Sequence, residues 1–356
     1  MKHLELFAGI GGFRRALDLI QTDMNVTMEC IGYSEIDENA KKTYCANFHL
    51  SPTEVDMGDI VAFNSDKDNI HKLPDFDLLT GGFPCQSFSM MGKQAGFEDQ
   101  DRGQMFFRIL EILEIKRPKY ILLENVKKLY THDKENTFRT IKNELECLGY
   151  SIYSDIFNTN NFHLAQTRNR IYILGIRDCL AHIDFSAKLI EKYFNSIYTY
   201  TSTEKQASVL DILEPKTLQK YYLSERIKPT ILCDGSGNFK SKSDINKDPA
   251  RPLTATMHKM HRACQDNYYS ENFILTKGAD NPVNEMSKEE LCQLPIRKLT
   301  PREAMMLQGF PPQWSENAHL AGLADGALYK QAGNAVSVNV PYAIISYCIS
   351  NNIIEI

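Results

Sequence analysis

The chain has 356 residues, 43% of them hydrophobic and 24% charged, which is typical of a globular protein with room for about two domains. Its formal net charge of -5 excludes a global basic surface, so any surface for nucleic acid must be local. The nine cysteines form no CxxC pair and no Cys/His group at zinc spacing, which argues against a disulfide framework or a zinc site and suits a reducing cytosol.

We expect neither a signal peptide near the N-terminus nor a membrane span near the C-terminus. A single Lys2 precedes a short apolar run that ends in glycines, which argues against a signal peptide. The apolar run over residues 336–349 is too short and too polar to span a bilayer. We therefore expect a cytoplasmic protein that is not bound to a membrane.

The N-terminal segment predicts a strand, a glycine turn and a helix. Residues 4–8 are the strand, Gly9, Gly11 and Gly12 make the turn, and residues 13–20 have helical apolar spacing. The spacing is GxGG, which differs from the dinucleotide pattern GxGxxG. A cofactor loop and an ordinary connecting turn therefore both remain open at this point.

Acidic residues follow the next two predicted strands. The second strand, residues 30–34, ends at Glu35, and a third is predicted to end at Asp59 and Ile60. An acid at the tip of the second strand commonly accepts hydrogen bonds from ribose hydroxyls. The alternatives are a helix N-terminal acid for Glu35 and a plain loop carboxylate for Asp59.

The fourth predicted strand leads to an unusual cysteine. Its apolar run breaks at a glycine pair, and Cys85 follows directly after Pro84. Such a turn places the next side chain at the carboxyl end of the strand, where open α/β sheets bind ligands. Free cysteines are usually buried, but the Gly, Pro and Gln86 neighbours favour a presented thiol here.

Residues 86–102 are polar, contain glycines and predict a lid with few packing constraints. Lys93 and Arg102 would give this lid contacts to phosphates. A plain surface loop is the alternative. Helical apolar spacing resumes over residues 104–114.

Polar residues also flank the later strands. Further strands are predicted over residues 119–123, 150–157 and 171–176, and the last two suit a hairpin. Glu124 follows the first of these strands. An acid at this position is either a site residue or an ordinary polar cap of the strand end. Arg168 and Arg170, at i and i+2, are predicted to point to one side and to hold an oxygen or phosphate; a solvated edge is the alternative.

The character of the chain changes over about residues 194–295, where periodicity weakens and turn residues accumulate. Between Lys216 and Arg262, ten basic residues stand against four acidic ones, a local excess of six. This excess favours a nucleic-acid face, with a lysine-rich solvated surface as the alternative.

The C-terminal part predicts a helix with N-cap Thr300, Pro301 at N1 and Glu303 at N3. Gly333 and Asn334 predict a tight turn before the last helix. That turn would lie against a bound cofactor or simply end a helix.

Together these segments resemble the cytosine-5 DNA methyltransferases, and the resemblance covers nearly the whole catalytic portion in the family's order. The matching blocks are residues 7–12, Glu35, Asp59, residues 82–86, 124–126, 166–170, 302–303 with 308–311, and 331–334. The length and the single variable region resemble a compact bacterial or phage enzyme of the restriction-modification type.

The resemblance implies a doubly wound, Rossmann-like S-adenosylmethionine-dependent methyltransferase domain with a smaller, irregular, mostly β target-recognition domain. The expected boundaries are 1–190 for the catalytic domain, 191–297 for target recognition and 298–356 for a part that returns to the catalytic domain.

The implied activity is sequence-specific DNA (cytosine-5-)-methyltransfer to a flipped-out cytosine in duplex DNA. Cys85 would add to carbon 6, Glu124 would serve N3, Arg168 would hold the exocyclic O2 and Arg170 would orient the site. An RNA (tRNA) enzyme of the same lineage is the alternative, although the basic variable region favours DNA. A non-catalytic DNA-binding relative and an oxidoreductase fit less well, because the catalytic set is intact and GxGxxG is missing.

The resemblance also implies the cofactor and the partners. S-adenosylmethionine is the expected donor, S-adenosylhomocysteine the product, and no metal is expected. Expected donor-binding residues are Phe7, Gly9, Ile10, Gly11, Gly12, Glu35, Ile36, Asp59, Ile60, Gly82, Pro84, Met105, Asn334 and Val336. Expected DNA-binding residues are Gln86, Ser89, Lys93, Arg102, Arg251, Thr254, Lys259 and Arg262; Leu253-Thr254-Ala255 resembles the family's recognition element. The expected partners of this monomer are double-stranded DNA and a cognate restriction endonuclease that acts on the same site without stable contact.

Overall fold

The computed structural model describes residues 1–84, 104–179, 181–235, 241–259, 261–281, 283 and 285–356. The chain divides into two compact units. The first unit comprises Met1–Asn158, Asn169–Thr203 and Val340–Ile356, and the second comprises Thr159–Arg168 and Glu204–Asn339. The boundaries expected from the sequence, 1–190, 191–297 and 298–356, stay a prediction.

A seven-stranded sheet forms the centre of the first unit. Its strands are β1 (Lys2–Leu6), β2 (Glu29–Tyr33), β3 (Val55–Asp56), β4 (Leu78–Gly82), β5 (Tyr120–Val126), β6 (Tyr150–Asn158) and β7 (Asn169–Arg177). Their order is β3-β2-β1-β4-β5-β7-β6, with β7 antiparallel to both of its neighbours and the other pairs parallel. This confirms the predicted doubly wound α/β class and the predicted hairpin. The strand order reverses between β1 and β4, which is where such sheets bind ligands.

Helices accompany this sheet. They are α1 (Gly12–Met24), α2 (Glu38–Asn47), α3 (Ile60–Asn64), α4 (Lys67–Lys72), α5 (Gln104–Lys116), α6 (Lys128–Thr131), α7 (Asn136–Cys147) and α8 (Ala187–Ile197). Leu79, Ile121 and Leu123 of the sheet are fully buried in one apolar cluster with Ile109 and Ile112 of α5. Parallel strands of this kind are buried on both faces, which explains their continuous apolar runs.

Two strand ends near the ligand-binding edge differ from the prediction. Strand β1 ends at Leu6 rather than at residue 8, because Phe7 has φ +54° and leaves the extended conformation. Asp59 does not end a strand, because Gly58 has φ +55° and interrupts the extended chain after β3. Asp59 is instead the N-cap of α3, where its side chain accepts a hydrogen bond from the Val61 amide.

The second unit is built from short elements. They are α9 (Lys228–Leu232), β8 (Tyr268–Ser270), α10 (Glu271–Leu275), α11 (Lys288–Leu291), β9 (Ile296–Lys298), α12 (Pro301–Met306), α13 (Gln313–Leu320) and α14 (Asp325–Asn334). Strands β8 and β9 pair antiparallel. Helix α15 (Asn339–Ser350) follows α14 and lies almost wholly in the first unit.

The expectation of an irregular, mostly β recognition region holds only for its irregularity. Within the described part of residues 191–297, β8 and β9 are the named strands, and short helices supply most of the remaining regular structure. The physical reason is local, because Ser270 and Ser287 each accept an amide hydrogen bond and start a helix. The predicted capping box of Thr300 and Glu303 is confirmed.

A buried ion pair links three segments of the second unit. Arg297 on β9 donates to both carboxylate oxygens of Glu303 on α12, over 2.7 and 2.8 Å. Glu303 also accepts the amides of Thr300 and Glu214, each over 2.7 Å. The remaining donors of Arg297 reach the carbonyls of Glu214 and Lys298. Both charges are therefore well compensated, as buried charges must be.

Among the helices that the structure describes, none combines the length and the apolar character of a membrane span.

Candidate active site

The loop between β1 and α1 is a tight glycine turn at the edge where the strand order reverses. Phe7, Gly9 and Gly11 have φ of 54°, 57° and 84°. Glycine adopts this left-handed region without steric cost. A Cβ atom on Gly11 would lie 2.1 Å from the Phe48 ring, so this position has no room for a side chain. The predicted glycine turn is therefore present and closely packed.

The carboxylate of Glu35 lies directly beside this loop. Its Oε2 accepts the Gly9 amide and its Oε1 accepts the Asp37 amide, each over 2.7 Å. Burial raises the pKa of Glu35, and these amide hydrogen bonds oppose the rise. Asp37, not Glu35, is the N-cap of α2, so the helix-capping role belongs to the neighbouring acid.

An exposed apolar side chain adjoins this carboxylate. Ile36 is 70% exposed, which is unusual for a large aliphatic residue in a domain with a well-formed core. A fixed acceptor next to open apolar surface suits a nucleoside, whose ribose and base need those two kinds of contact.

Five further predicted donor-binding residues of the first unit differ in position and burial. Gly82 and Pro84 lie at the carboxyl end of β4, which pairs with β1, so they share the edge with the glycine loop. Ile10 and Ile60 are almost fully buried and support the core instead of offering surface. Met105, on α5, is partly buried.

Asn334 and Val336 belong to the second unit. The turn predicted at Gly333 and Asn334 is not formed, because both residues complete α14. Gly333 is needed for another reason: its Cβ would lie 2.2 Å from the carbonyl carbon of Thr254. Asn334 is exposed and Val336 is partly buried.

Glu124 and Arg170 form an ion pair on neighbouring strands. Arg170 Nε lies 2.9 Å from Glu124 Oε1. The register of β5 against β7 explains this contact, because Val126 is directly opposite Arg170 and Glu124 is opposite Tyr172. On the other side Glu124 is opposite Gly82 of β4. The carboxylate is buried and lies level with the end of the strand that leads to Cys85.

Asn125, in the block 124–126, was not among the predicted site residues, yet it supports the chain beside Glu124. Its Nδ2 donates to the Phe83 carbonyl and its Oδ1 accepts the Val126 amide, each over 2.8 Å. Phe83 is two residues before Cys85, so Asn125 holds the chain that carries the thiol. The signal for this role was a polar side chain directly after Glu124 at the end of an apolar strand.

Several predicted site residues lie outside the part of the chain that the structure describes. They are Cys85, Gln86, Ser89, Lys93 and Arg102, together with the remainder of the predicted lid. Their expected roles rest on the sequence.

Arg168 and Arg170 have separate partners instead of one shared site. The guanidinium of Arg168 donates to the carbonyls of Leu253, Gly333 and Ala335, over 2.9, 3.0 and 3.1 Å. All of these residues belong to the second unit, whereas Arg170 lies on β7 in the first. Strand β7 begins at Asn169, so Arg168 lies outside its alternating register.

The predicted DNA-binding residues of the second unit differ in exposure. Thr254, Lys259 and Arg262 are exposed. Arg251 is partly buried and donates to the Asp244 carbonyl over 3.0 Å, so part of its bonding capacity serves the fold. No group of His, Cys, Asp and Glu suited to a metal ion occurs in the described ranges.

Comparisons with known proteins agree on one family. The family model described as C-5 cytosine-specific DNA methylase matches residues 1–350. The chain is 39% identical over 343 residues to type II methyltransferase M1.ScrFI of Lactococcus lactis subsp. cremoris, covering 96% of this chain and 76% of the relative. It is 36% identical over 345 residues to type II methyltransferase M.HpaII of Haemophilus parainfluenzae, covering 94% and 85%.

Solved structures agree on the fold. The Dnmt2 methyltransferase of S. pombe is similar with a TM-score of 0.72 at 20% identity, over 99% of both chains. The Entamoeba histolytica methyltransferase EhMeth is similar with a TM-score of 0.72 at 21% identity, over 100% of this chain and 99% of that one.

Proposed function

Because the chain belongs to the C-5 cytosine-specific DNA methylase family and is a DNA (cytosine-5-)-methyltransferase, we propose that it modifies a flipped-out cytosine within a specific sequence of duplex DNA. The contact between Glu124 and Arg170 is the observation that carries this proposal. It sets a buried carboxylate and a guanidinium beside the end of β4, the strand that leads to Cys85.

Members of this family use S-adenosylmethionine, which when bound supplies an electrophilic methyl group. The residues that fit this donor are Gly9, Gly11, Glu35 and Ile36. A carboxylate has about four acceptor positions, so Glu35 keeps capacity for ribose hydroxyls beside the amides that it already accepts. Ile36 would cover the adenine, and Asn334 and Val336 stay donor-binding residues proposed from the sequence alone.

Cys85 is proposed as the nucleophile on the strength of its motif. Its thiolate would form a bond to carbon 6 of the cytosine, and the electrons of the C5=C6 double bond would make carbon 5 nucleophilic. After methylation, loss of the carbon-5 proton and departure of the thiolate would restore the double bond. Asn125 would hold the preceding chain through the Phe83 carbonyl.

Glu124 and Arg170 are proposed to balance the charge that this addition creates. Thiolate attack moves negative charge onto the ring, so N3 must share a proton with an acid, a role that suits Glu124. The sequence assigned O2 to Arg168 and orientation of the site to Arg170. We propose instead that Arg170 holds O2, because it pairs with Glu124, and that Arg168, which already binds three backbone carbonyls, does not act on the cytosine.

The thiolate must approach the face of the ring, which is stacked inside a duplex, so the cytosine has to be extruded. Residues 86–102 would close over it and exclude water. Chemistry on one strand needs only one copy of the chain, so we propose a monomer. Similarity to type II methyltransferases supports a role in restriction-modification, with a cognate endonuclease at the same site, in the bacterial cytoplasm.

Transfer of a labelled methyl group from S-adenosylmethionine tests this function. Purified protein is incubated with duplex DNA in one arm and with tRNA in the other, and bisulfite sequencing maps the modified cytosines. We expect labelling of duplex DNA at one short sequence. Labelling of tRNA alone would assign the enzyme to RNA.

Duplex DNA that contains 5-fluorocytosine at the mapped position tests the adduct. Fluorine cannot leave as a proton does, so the wild-type protein should remain covalently attached to this DNA. Cys85→Ala should neither be trapped nor transfer methyl groups. Normal methyl transfer by Cys85→Ala would refute the thiolate mechanism.

A further inference from the structure

Two buried side chains hold the main chain of one residue, Leu253, from both sides. Gln166 Oε1 accepts the Leu253 amide over 2.8 Å, and Gln166 Nε2 donates to the Leu307 carbonyl over 3.0 Å. Arg168 Nη1 donates to the Leu253 carbonyl over 2.9 Å. Gln166 is 0% exposed and Arg168 is 2% exposed, so water does not replace these bonds easily.

Backbone hydrogen bonds between the same two segments add to these side-chain contacts. The Thr167 amide donates to the Ala250 carbonyl over 2.9 Å, and the Ala250 amide donates to the Ala165 carbonyl over 2.8 Å. Residues 165–168 and 250–253 therefore form a continuous hydrogen-bonded contact, which we call the 165–168 clamp. Gly333 packs against the next residue, Thr254, so closely that no side chain fits between them.

The clamp lies at the start of residues 254–259, in which three polar side chains are exposed and the other three residues are partly buried. Leu253 is buried, whereas Thr254, Thr256 and Lys259 are exposed. Beyond the segment the chain is fixed again at Ala263, whose amide donates to the Ile231 carbonyl over 3.1 Å. Hydroxyl and ammonium groups are those that contact base edges and phosphates in DNA. A segment that is anchored at both ends can present such groups in a constant register.

We propose that Gln166 and Arg168 are positioning residues for sequence recognition, which set the register of residues 254–259 against DNA. This inference rests on the proposed function, in which the protein reads duplex DNA. Recognition requires groups held within a fraction of an ångström, so a loosened base of the segment would lower discrimination between sequences. Through the clamp, the motif before β7 serves the choice of DNA sequence and not the transfer of the methyl group.

Gln166→Met is the decisive variant, because Met has nearly the same length and forms neither hydrogen bond. The kcat/KM for the mapped target and for duplexes with single base-pair changes is measured for wild type and variant. We expect the ratio between target and changed sequences to fall at least about tenfold, with a higher KM for DNA. The Kd for S-adenosylmethionine, measured by calorimetry, should stay within about twofold.

Gln206→Met is the matched control. Gln206 is also buried, and it accepts the Ala165 amide over 3.0 Å and donates to the Met306 carbonyl over 2.6 Å, without contacting Leu253. The Gln206→Met variant should lower the melting temperature about as much as Gln166→Met does. Its discrimination between the target and the changed sequences should stay at the wild-type level. Gln166→Glu keeps an acceptor for the Leu253 amide and should retain most of the discrimination.

Hydrogen exchange of the Leu253 amide in free protein separates failure of the clamp from failure of the proposed function. Gln166→Met should speed this exchange, and Gln206→Met should not. The inference is overturned if Gln166→Met leaves the exchange of the Leu253 amide unchanged, or if it leaves the discrimination between sequences unchanged. An equal loss of discrimination in Gln206→Met would overturn it as well. If the wild type methylates no duplex DNA although the exchange does respond, the proposed function fails and the inferred role in recognition falls with it.

Discussion

Glu124 and Arg170 are the two described side chains on which the proposed chemistry depends most directly. Glu124→Gln keeps the size of the side chain but removes the acid. We expect kcat to fall by about 10²–10⁴-fold, the usual contribution of a general acid. Single-turnover methylation measures this loss, and gel-shift affinity for the target duplex should change little. A variant with wild-type kcat would remove Glu124 from the mechanism.

The two arginines should respond differently to truncation. Arg170→Ala should lower kcat by about 10²–10³-fold, as expected when one charge-stabilising donor is lost. Arg168→Ala should instead lower the melting temperature and, through the lost contact to Leu253, the discrimination between DNA sequences, because it leaves three carbonyls without their donor. Thermal unfolding and kcat, measured on both variants, check this division. The opposite pattern would return the O2 contact to Arg168.

Residue types and their order identified candidate site residues, whose roles stay predictions, but not the partners of each side chain. The acids at the ends of strands were identifiable because apolar runs stop there, as at Glu124. The partners of Arg168 could not be identified in this way, because they are the carbonyls of Leu253, Gly333 and Ala335, which are distant in sequence. Spacing at i and i+2 predicts a common side only when both residues lie in one strand.

Among the elements, β9 and α12 depend on the ion pair of Arg297 and Glu303. Glu303→Ala leaves a buried guanidinium without its carboxylate and removes the capping interaction of α12. We expect a loss of about 3–5 kcal/mol in the free energy of unfolding. Urea unfolding measures it. The exposed pair of Lys119 and Glu355 is the control, since Glu355→Ala should cost about 0–1 kcal/mol.

Secondary structure was predicted best where the pattern was long and apolar. Strands β4, β5 and β7 and helix α5 lie where the sequence predicted them, because buried parallel strands and amphipathic helices leave strong signals. Short elements were harder to predict. Strand β3, for example, has two residues and is soon followed by Gly58, which has a positive φ. In the second unit, serine and threonine caps decide between a turn and a helix, and periodicity does not reveal them.

At the scale of the whole molecule, unfolding should depend on pH through Asp266 in the second unit. Burial raises the pKa of Asp266 to about 6, although its carboxylate accepts a 3.3 Å hydrogen bond from the Arg262 amide. The folded state therefore binds this proton more tightly than the unfolded state, whose pKa is about 4. The protonated side chain of Asp266 therefore adds to the free energy of unfolding below about pH 4. This contribution is lost as the pH rises to about 6.

Asp266→Asn removes this penalty and keeps an oxygen for the Arg262 amide. We expect the variant to be more stable than the wild type by about 1–3 kcal/mol at pH 7, with the difference shrinking toward pH 4. Chemical unfolding at both pH values measures it. An equal difference at pH 4 and pH 7 would show that ionisation of Asp266 is not the cause.

The chain passes from one unit to the other four times, after Asn158, Arg168, Thr203 and Asn339. The ten residues Thr159–Arg168 therefore belong with the second unit, although they lie far from the remainder of it along the chain. A chimaera that exchanged only residues 204–339 with a related enzyme would set foreign backbone against Gln166 and Arg168. Transplanting specificity between such enzymes should succeed more often when the donor's counterpart of this short peptide is transferred as well.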